Sequence, residues 1–568
     1  MLSAFSRHLP DWLRHYRRDL FAGDLLAALM TVMLAVPQGL AYAALAGLPP
    51  HVGLYASLLP LVAYALLGSS PTLSVGPVAL LGLMTASALA PLATPGTPEY
   101  LTAAALLALL CGLMLLLFGL LRLGALSQLL SHPVISGFVS GAAILIIIGQ
   151  LQALLGIRSD AGAGALMLLD IAGHLHELAP LTASLGLGAL LILILSRTLL
   201  PRLLHRLGLP ATRAALLARL MPMLLVVASV LLVQTLGWQA RLPVIGTLPG
   251  GLPPLGLPAA DWPLVRALLL PALMIGLISF VESISIAQRL ASYASSRVNP
   301  DAELRALGAA NIASAVSSGM PVAGSFARSI VNAEGGARTP LSGLLGALGL
   351  ACVLLWFTGL LRALPLAVLA AIIISAASAL IDLRTLRHAW RYDRADAYAL
   401  LGTLGGVLVF GIEAGIAIGI SLSLATLIWH ASRPHIAVVG RVPGTEHFRN
   451  VQRHDVKTHA NVLCLRIDES LFFGNVRAVE ARIMKELKRH PDARHLVLIM
   501  SSVSRIDSTA LDMLHQLNND LRQRDIQLHF AEVKGFVLDQ LKQADLLEQL
   551  SGEVYLTAFE AEVNLGGK

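Results

Sequence analysis

Ser325-Phe326-Ala327-Arg328-Ser329, within the run from Pro321 to Gly336, places a guanidinium beside two serines in a mainly apolar region. Arginine does not release its proton in a protein, so Arg328 is a fixed cation that must be matched, and an anion matches it at least cost. Gly324 permits a sharp backbone entry and Ser325 suits a helix N-cap, so the spacing predicts a helix that begins part-way across an apolar layer. Such a beginning offers free N–H groups and the positive dipole end to an anion. A second beginning is predicted at Ser74-Val75-Gly76-Pro77-Val78-Ala79, with Pro77 at the first helical position. Two half-helices in corresponding places of two halves point to a transporter site. The competing reading makes both of them Gly/Pro kinks in packed spans, with Arg328 a structural partner for Glu334 or a helix carbonyl.

Glu282 is the second ionisable group set in an apolar stretch. A carboxyl buried there is more easily held neutral than charged, which makes it a candidate proton carrier; the alternative is a paired or neutral group that holds helices together. Gln38 and Tyr42 follow Pro37, which frees backbone groups, and lie one helical turn apart, so both can face one cavity. Packing of a Pro-Gln-Gly kink is the plainer explanation of the same residues.

These residues require spans to hold them, and the composition supplies spans. Of 568 residues, 56% are hydrophobic and 13% charged, with a mean hydropathy of +0.73. That excludes a soluble protein and indicates a polytopic one surrounded by membrane lipid. The net charge of +7 does not indicate a nucleic-acid partner, because the basic residues lie between apolar runs and not in a stripe with aromatics. Arg7 to Arg18 leads straight into an apolar run containing Pro37, with no Ala-x-Ala site, and reads as the approach to a retained first span. Cys111, Cys352 and Cys464 form no disulfide, metal or redox pattern.

Apolar runs of about 20 residues follow one another from Leu20 to Trp429. Hydropathy places about fourteen crossings, centred near Met33, Leu59, Leu83, Leu110, Ile144, Leu190, Leu225, Ile275, Ala310, Ile330, Leu350, Ala371, Leu404 and Leu422. Counting from a basic cytoplasmic N-terminus, alternate loops carry Arg122, Arg197, Arg202, Arg206, Arg213, Arg219, Arg289, Arg297, Arg305, Arg338, Arg384, Arg387, Arg391, Arg394 and Arg433. The intervening loops hold few, among them Arg158, Arg241 and Arg362. This asymmetry predicts both termini on the cytoplasmic side of the inner (plasma) membrane. The Pro/Gly-rich stretch from Trp238 to Trp262 reads as the join between two halves.

After Trp429 the composition changes: every lysine lies beyond it, starting at Lys457, with acids and bases interspersed. Strands are predicted at Val462–Ile467 and Leu496–Met500, and helices at Val476–Leu487, Ser508–Arg522 and Phe536–Gln543. Alternation of this kind indicates a small α/β domain. The expected organisation is a cytoplasmic segment over 1–18, an α-helical transport domain over 19–433 and a cytoplasmic α/β domain over 434–568.

Val36-Pro37-Gln38-Gly39-Leu40-Ala41-Tyr42, Gly53-Leu54-Tyr55-Ala56, Ser74-Val75-Gly76-Pro77, Phe280-Val281-Glu282-Ser283 and Ser325-Phe326-Ala327-Arg328-Ser329 together resemble the sulfate permease family of anion transporters, and the tail resembles the STAS domain these proteins carry. The resemblance implies a uracil-permease-like fold of two inverted seven-span repeats, a core moving against a gate, and a homodimer. It implies an anion held between the starts of the third and tenth spans, with Gln38, Tyr42 and Val78 lining the pocket together with Ser325, Phe326, Ala327, Arg328 and Ser329. In one motor protein of the family a serine precedes this arginine; Ala327 stands here and removes a hydroxyl ligand. A glutamate at 282 resembles proton-coupled sulfate and dicarboxylate members, whereas an aspartate resembles sodium-coupled ones. Ile506-Asp507-Ser508-Thr509 is similar to the phosphorylated motif of anti-sigma-factor antagonists, which makes Ser508 a candidate phosphorylation site, with a helix start of no regulatory use as the alternative.

The function expected is therefore proton-coupled symport of a sulfate or dicarboxylate by alternating access. Its rivals are a chloride/bicarbonate exchanger or uncoupled channel, and an anion-sensing scaffold that recruits a cytoplasmic partner through the tail. His174-x-His176 lacks a third ligand for zinc, and Gly335-Gly336 lacks the rest of a phosphate loop, so neither metal nor cofactor is expected and no enzyme site is assembled.

Overall fold

A computed structural model of the chain describes residues 11–14, 16–125, 131–157, 165–210, 214, 217–294 and 298–566. Arg7, Arg158, Arg213 and Arg297 of the charge pattern lie outside these residues. The chain divides into two compact units, Met1–Ser423 and Leu424–Lys568.

The first unit is helical because Leu- and Ala-rich runs in an apolar medium must satisfy every backbone polar group within the segment. Its opening order is α1 (Phe21–Leu45), α2 (His51–Leu67), β1 (Val75–Gly76), α3 (Ala79–Leu89) and α4 (Pro98–Leu120). After α5 (His132–Leu155), α6 (Pro180–Thr198) and α7 (Met221–Thr235), the same order returns. It runs α8 (Trp262–Ala294), α9 (Pro300–Val316), β2 (Ala323–Gly324), α10 (Phe326–Glu334) and α11 (Leu341–Cys352). Then come α12 (Leu366–Ser378), the amphipathic α13 (Leu383–Tyr392), α14 (Arg394–Phe410) and α15 (Ile412–Ala431).

All fourteen expected centres fall inside a helix. Among the described residues, however, seven helices are long and apolar enough to cross a membrane by themselves, and four apolar helices are shorter. At the centres Leu83 and Ile330 the helices are α3 and α10, half-length as expected there, each preceded by an extended lead-in.

The two halves interlock through glycine. A Cβ on Gly112 of α4 would lie 2.7 Å from the Gly308 carbonyl oxygen of α9, and one on Gly308 would lie 2.7 Å from the Leu116 nitrogen. Only glycine allows these backbones so close, and small residues at crossings drive helix association in an apolar medium.

The second unit contains a six-stranded sheet, β3 (Ile436–Arg441), β4 (Phe448–Asn450), β5 (Val462–Ile467), β6 (His495–Ile499), β7 (Gln527–Ala531) and β8 (Val554–Tyr555), in the order β4-β3-β5-β6-β7-β8. β5 to β8 pair in parallel, while β3 is antiparallel to both neighbours. The connecting helices are α16 (Val476–Arg489), α17 (Ser508–Arg522), α18 (Gly535–Gln543) and the terminal α19 (Ala558–Gly566). Parallel strands covered on both faces read as continuous apolar runs, and for this reason β5 and β6 were legible in the sequence.

Candidate anion-binding site

β1 and β2 are only two residues each, yet they set the site. They pair antiparallel, Val75 with Gly324 and Gly76 with Ala323. The pairing continues through Ser325 N–H to the Ser74 carbonyl at 2.9 Å, and Ser74 N–H donates to Ser329 Oγ at 2.9 Å. The starts of α3 and α10 are thus fixed against each other although they lie far apart in the chain. Their N-cap residues, Val78 and Ser325, are extended and neither makes a side-chain cap bond. The N-terminal N–H groups of both helices therefore stay available to an anion.

Two details differ from the sequence expectation. Pro77 precedes the N-cap of α3 and does not occupy its first helical position. The Pro77 carbonyl is instead an acceptor for Arg328, and the chain must stay extended through Val78 to present it. Ser325 occupies the N-cap position, but its hydroxyl does not bond the helix it starts.

Arg328 is 1% exposed. Its Nη1 donates to the Pro77 carbonyl at 3.0 Å and to Gln38 Oε1 at 3.4 Å. Among the described residues its Nη2 has no hydrogen-bond partner, and it lies 3.0 Å from where a Cβ on Gly76 would stand. The alternative partner Glu334 is taken, because it forms an ion pair with Arg219. The guanidinium is therefore held by a helix-lead carbonyl and an amide, and among the described residues no carboxylate is bonded to it.

A cavity of about 510 Å³ adjoins this crossing. Gln38 and Tyr42 of α1, Val78, the residues Ser325, Phe326 and Ala327, and Glu282 of α8 all line it. Arg328 and Ser329 do not. Arg328 lies behind the wall, so its influence on the cavity is through space, while the Ser329 hydroxyl is used by Ser74. Glu282 also lines a second cavity of about 580 Å³, together with Phe326, Ser136 and Arg289. Glu282 Oε2 is buried with no hydrogen-bond partner among the described residues, and Phe326, 43% exposed, lines both cavities with it.

Arg197 and Arg219 line the first cavity as well. Arg197 donates to the Ser375 carbonyl of α12. Sequence reasoning took both only as topology markers, since arginines at cytoplasmic span ends are expected everywhere. Two buried carboxylates also escaped it. Asp24 accepts from Thr339 Oγ1 at 2.6 Å and Arg338 N–H at 2.8 Å, and Glu303 accepts from Tyr64 Oη at 2.8 Å and Ser69 Oγ at 2.7 Å. Their signal was an acid within the first turn or so of an apolar span, which also describes an ordinary helix start.

In the second unit, Asp507 caps α17, accepting from Ala510 N–H at 2.9 Å. Ser508 is the exposed first residue of that helix.

Comparison with known proteins agrees with this architecture. Residues 21–403 match the sulfate permease family and residues 453–561 match the STAS domain. A probable sulfate transporter of Mycobacterium tuberculosis is 34% identical over 549 residues, covering 96% of this chain and 95% of that one. Chloroplastic sulfate transporter 4.1 of Arabidopsis thaliana is 35% identical over 554 residues, covering 95% and 80%. The fold resembles murine solute carrier 26 family member A9, an anion transporter solved in an inward-facing state, with a TM-score of 0.88 at 21% identity over 100% of this chain and 95% of that one. It also resembles the transmembrane domain of a cyanobacterial bicarbonate transporter, with a TM-score of 0.61 at 25% identity over 71% and 98%.

Proposed function

Because the chain belongs to the sulfate permease family of anion transporters, a multi-pass membrane protein with a C-terminal STAS domain, we propose that it is a proton-coupled symporter of sulfate or a small dicarboxylate. The observation that carries this reading is the antiparallel β1–β2 pair, which aims two uncapped helix starts at one cavity, with the Arg328 charge behind them and the unpartnered Glu282 carboxyl beside them. The anion binds where the two helix potentials and the buried guanidinium add. Tyr42, Phe326 and the Ser325 hydroxyl bound it and select by size. A cavity of about 510 Å³ exceeds what a bare inorganic anion needs and leaves room for a dicarboxylate or retained water. The names of the relatives favour sulfate.

Protonation of Glu282 offsets substrate charge while the half-helix core moves against the gate formed by α5 to α7 and α12, α14 and α15. Arg197, in the last turn of α6, and Arg219 lie at span ends assigned to the cytoplasm, which makes the cavity they line the inward-open one. The same reading puts the protein in the inner membrane as a homodimer with both termini cytoplasmic, and gives the STAS domain an assembly or regulatory role with Ser508 as its modification site.

Uptake of radiolabelled sulfate, bicarbonate, fumarate and succinate into proteoliposomes tests this directly. Sulfate or dicarboxylate uptake should rise with a proton gradient directed inward. Arg328→Ala should weaken anion affinity about tenfold or more, corresponding to roughly 1.4 kcal/mol or above. Glu282→Gln should keep anion binding and lose the response to the gradient. Flux that needs a counter-anion, or that carries current with no pH response, would assign an exchanger or a channel to the same site.

A further inference from the structure

Beside the half-helix crossing lies a small space of about 10 Å³, lined by none of the residues that line the two large cavities. Thr31 of α1, Ser74 of the lead-in to β1 and Asn332 of α10 line it, with Tyr64 of α2 and Ser342 of α11. Thr31, Ser74 and Asn332 are 5%, 2% and 3% exposed. Thr31 Oγ1, Ser74 Oγ and Asn332 Oδ1 each lack a hydrogen-bond partner among the described residues. Three residues that line one small space and each carry a buried, unmatched oxygen form a built site, since a buried oxygen left unmatched is costly and native proteins rarely leave it so.

The geometry points to a single tightly held water molecule bridging Thr31, Ser74 and Asn332. The volume matches one water, which needs roughly 10–15 Å³ on this measure and two to four polar partners. The chemistry selects among occupants of that size. Asn332 Nδ2 donates to the Thr72 carbonyl at 3.0 Å, so the atom the amide has left to offer is Oδ1, an acceptor. An anion is thereby repelled. A monovalent cation would find neutral oxygens, no carboxylate in the lining, and Arg328 one helical turn away on the same helix. Water alone can donate to Oδ1 and both accept from and donate to the hydroxyls.

Ser74 already bonds Ser325 and Ser329, and Thr72 bonds Asn332. The water adds Thr31 to this set and ties α1, which carries Gln38 and Tyr42, to the lead-in of α3 and the body of α10. It is a positioning element for the anion site, distinct from any solvent that moves with substrate.

The test is a cryo-electron microscopy map of the full chain in nanodiscs at a resolution that shows ordered water, in sodium chloride and again with thallium(I) replacing sodium. One solvent peak at roughly 2.7–3.1 Å from all three oxygens, unchanged by thallium, is expected. Absence of a peak, or a peak that strengthens with thallium, overturns the assignment. Thr31→Val, which keeps shape and removes one partner, should abolish the peak or move it toward the remaining two oxygens while leaving the helices in place. A Thr31→Val map with the peak unmoved also overturns it. Thermal midpoints in sodium, potassium and choline chloride should coincide, and a sodium-specific rise lost in Thr31→Val would assign a cation instead.

Discussion

At the level of single residues, the site depends on a guanidinium that is buried without a bonded counter-charge. Arginine fits this role because its planar fork can give one N–H edge to the Pro77 carbonyl while the other edge stays free beside Gly76. Gly76 has an ordinary negative φ, so it is glycine for space and not for backbone conformation. A methyl there would approach Nη2 to 3.0 Å, so the fork must give by a few tenths of an ångström. Displacement weakens the charge-assisted bond to Pro77, and such bonds contribute about 1.5–3 kcal/mol. Gly76→Ala should therefore fold normally yet raise the dissociation constant of the transported anion by about tenfold, read by isothermal titration or by half-saturation of uptake. An unchanged constant would mean that the guanidinium's placement does not matter to binding.

At the level of elements, the two units obey different rules. In the membrane unit, backbone satisfaction and glycine crossings set positions; in the sheet, burial sets the protonation of a polar side chain. His529 of β7 shows the second case. It is 2% exposed, its Nδ1 accepts from Glu553 N–H at 2.9 Å, and its Nε2 faces His495 Nδ1 at 3.2 Å, with the Tyr555 ring packed alongside. Burial first, and the neighbouring His495 second, push its pKa from the ordinary 6.5 down to about 4. A proton on Nδ1 would also point at the Glu553 N–H donor. Between these two values the unfolded chain binds the proton and the folded chain does not. The contribution to stability is thus complete above about pH 6.5 and is lost as pH falls toward 4. Urea midpoints of the second unit should fall through this window. In His529→Gln, which keeps an acceptor and a donor, that part of the slope should flatten. Burial acts to raise the Asp468 carboxyl, but the hydrogen bonds and charges of Arg466 and His435 together hold it below the usual carboxylate range; it acts in the same direction at lower pH, and its window separates from that of His529. A midpoint flat from pH 7 to pH 4.5 would contradict this account of His529.

At the level of the whole molecule, the sequence made the helical order, the half-helix starts and the change at Trp429 legible, because hydropathy, Gly/Pro punctuation and charge distribution are local signals. It could not show that Val75 pairs with Gly324, that Arg219 takes Glu334 from Arg328, or that Ser329 serves Ser74 and not the cavity. Those are choices between residues remote in the chain, decided by packing. The same reasoning predicts where the chain can be divided. β5, β6 and β7 are buried on both faces, with one apolar cluster that includes Leu465, Leu498 and Phe530 and another that includes Cys464, Val497 and Ala531. The short β4 and β8 close the sheet edges. Hydrophobic burial on both faces is what an independently folding domain needs. Residues 434–568 expressed alone should therefore be soluble, give a dispersed amide NMR spectrum, and unfold in one cooperative urea transition with a slope of about 1–3 kcal/mol/M. The full chain should retain the same transition beside a separate one for its membrane helices. A fragment with collapsed amide dispersion, or with no cooperative transition, would show that the α/β unit depends on the membrane unit for its fold, and the boundary near 433 would have to be abandoned.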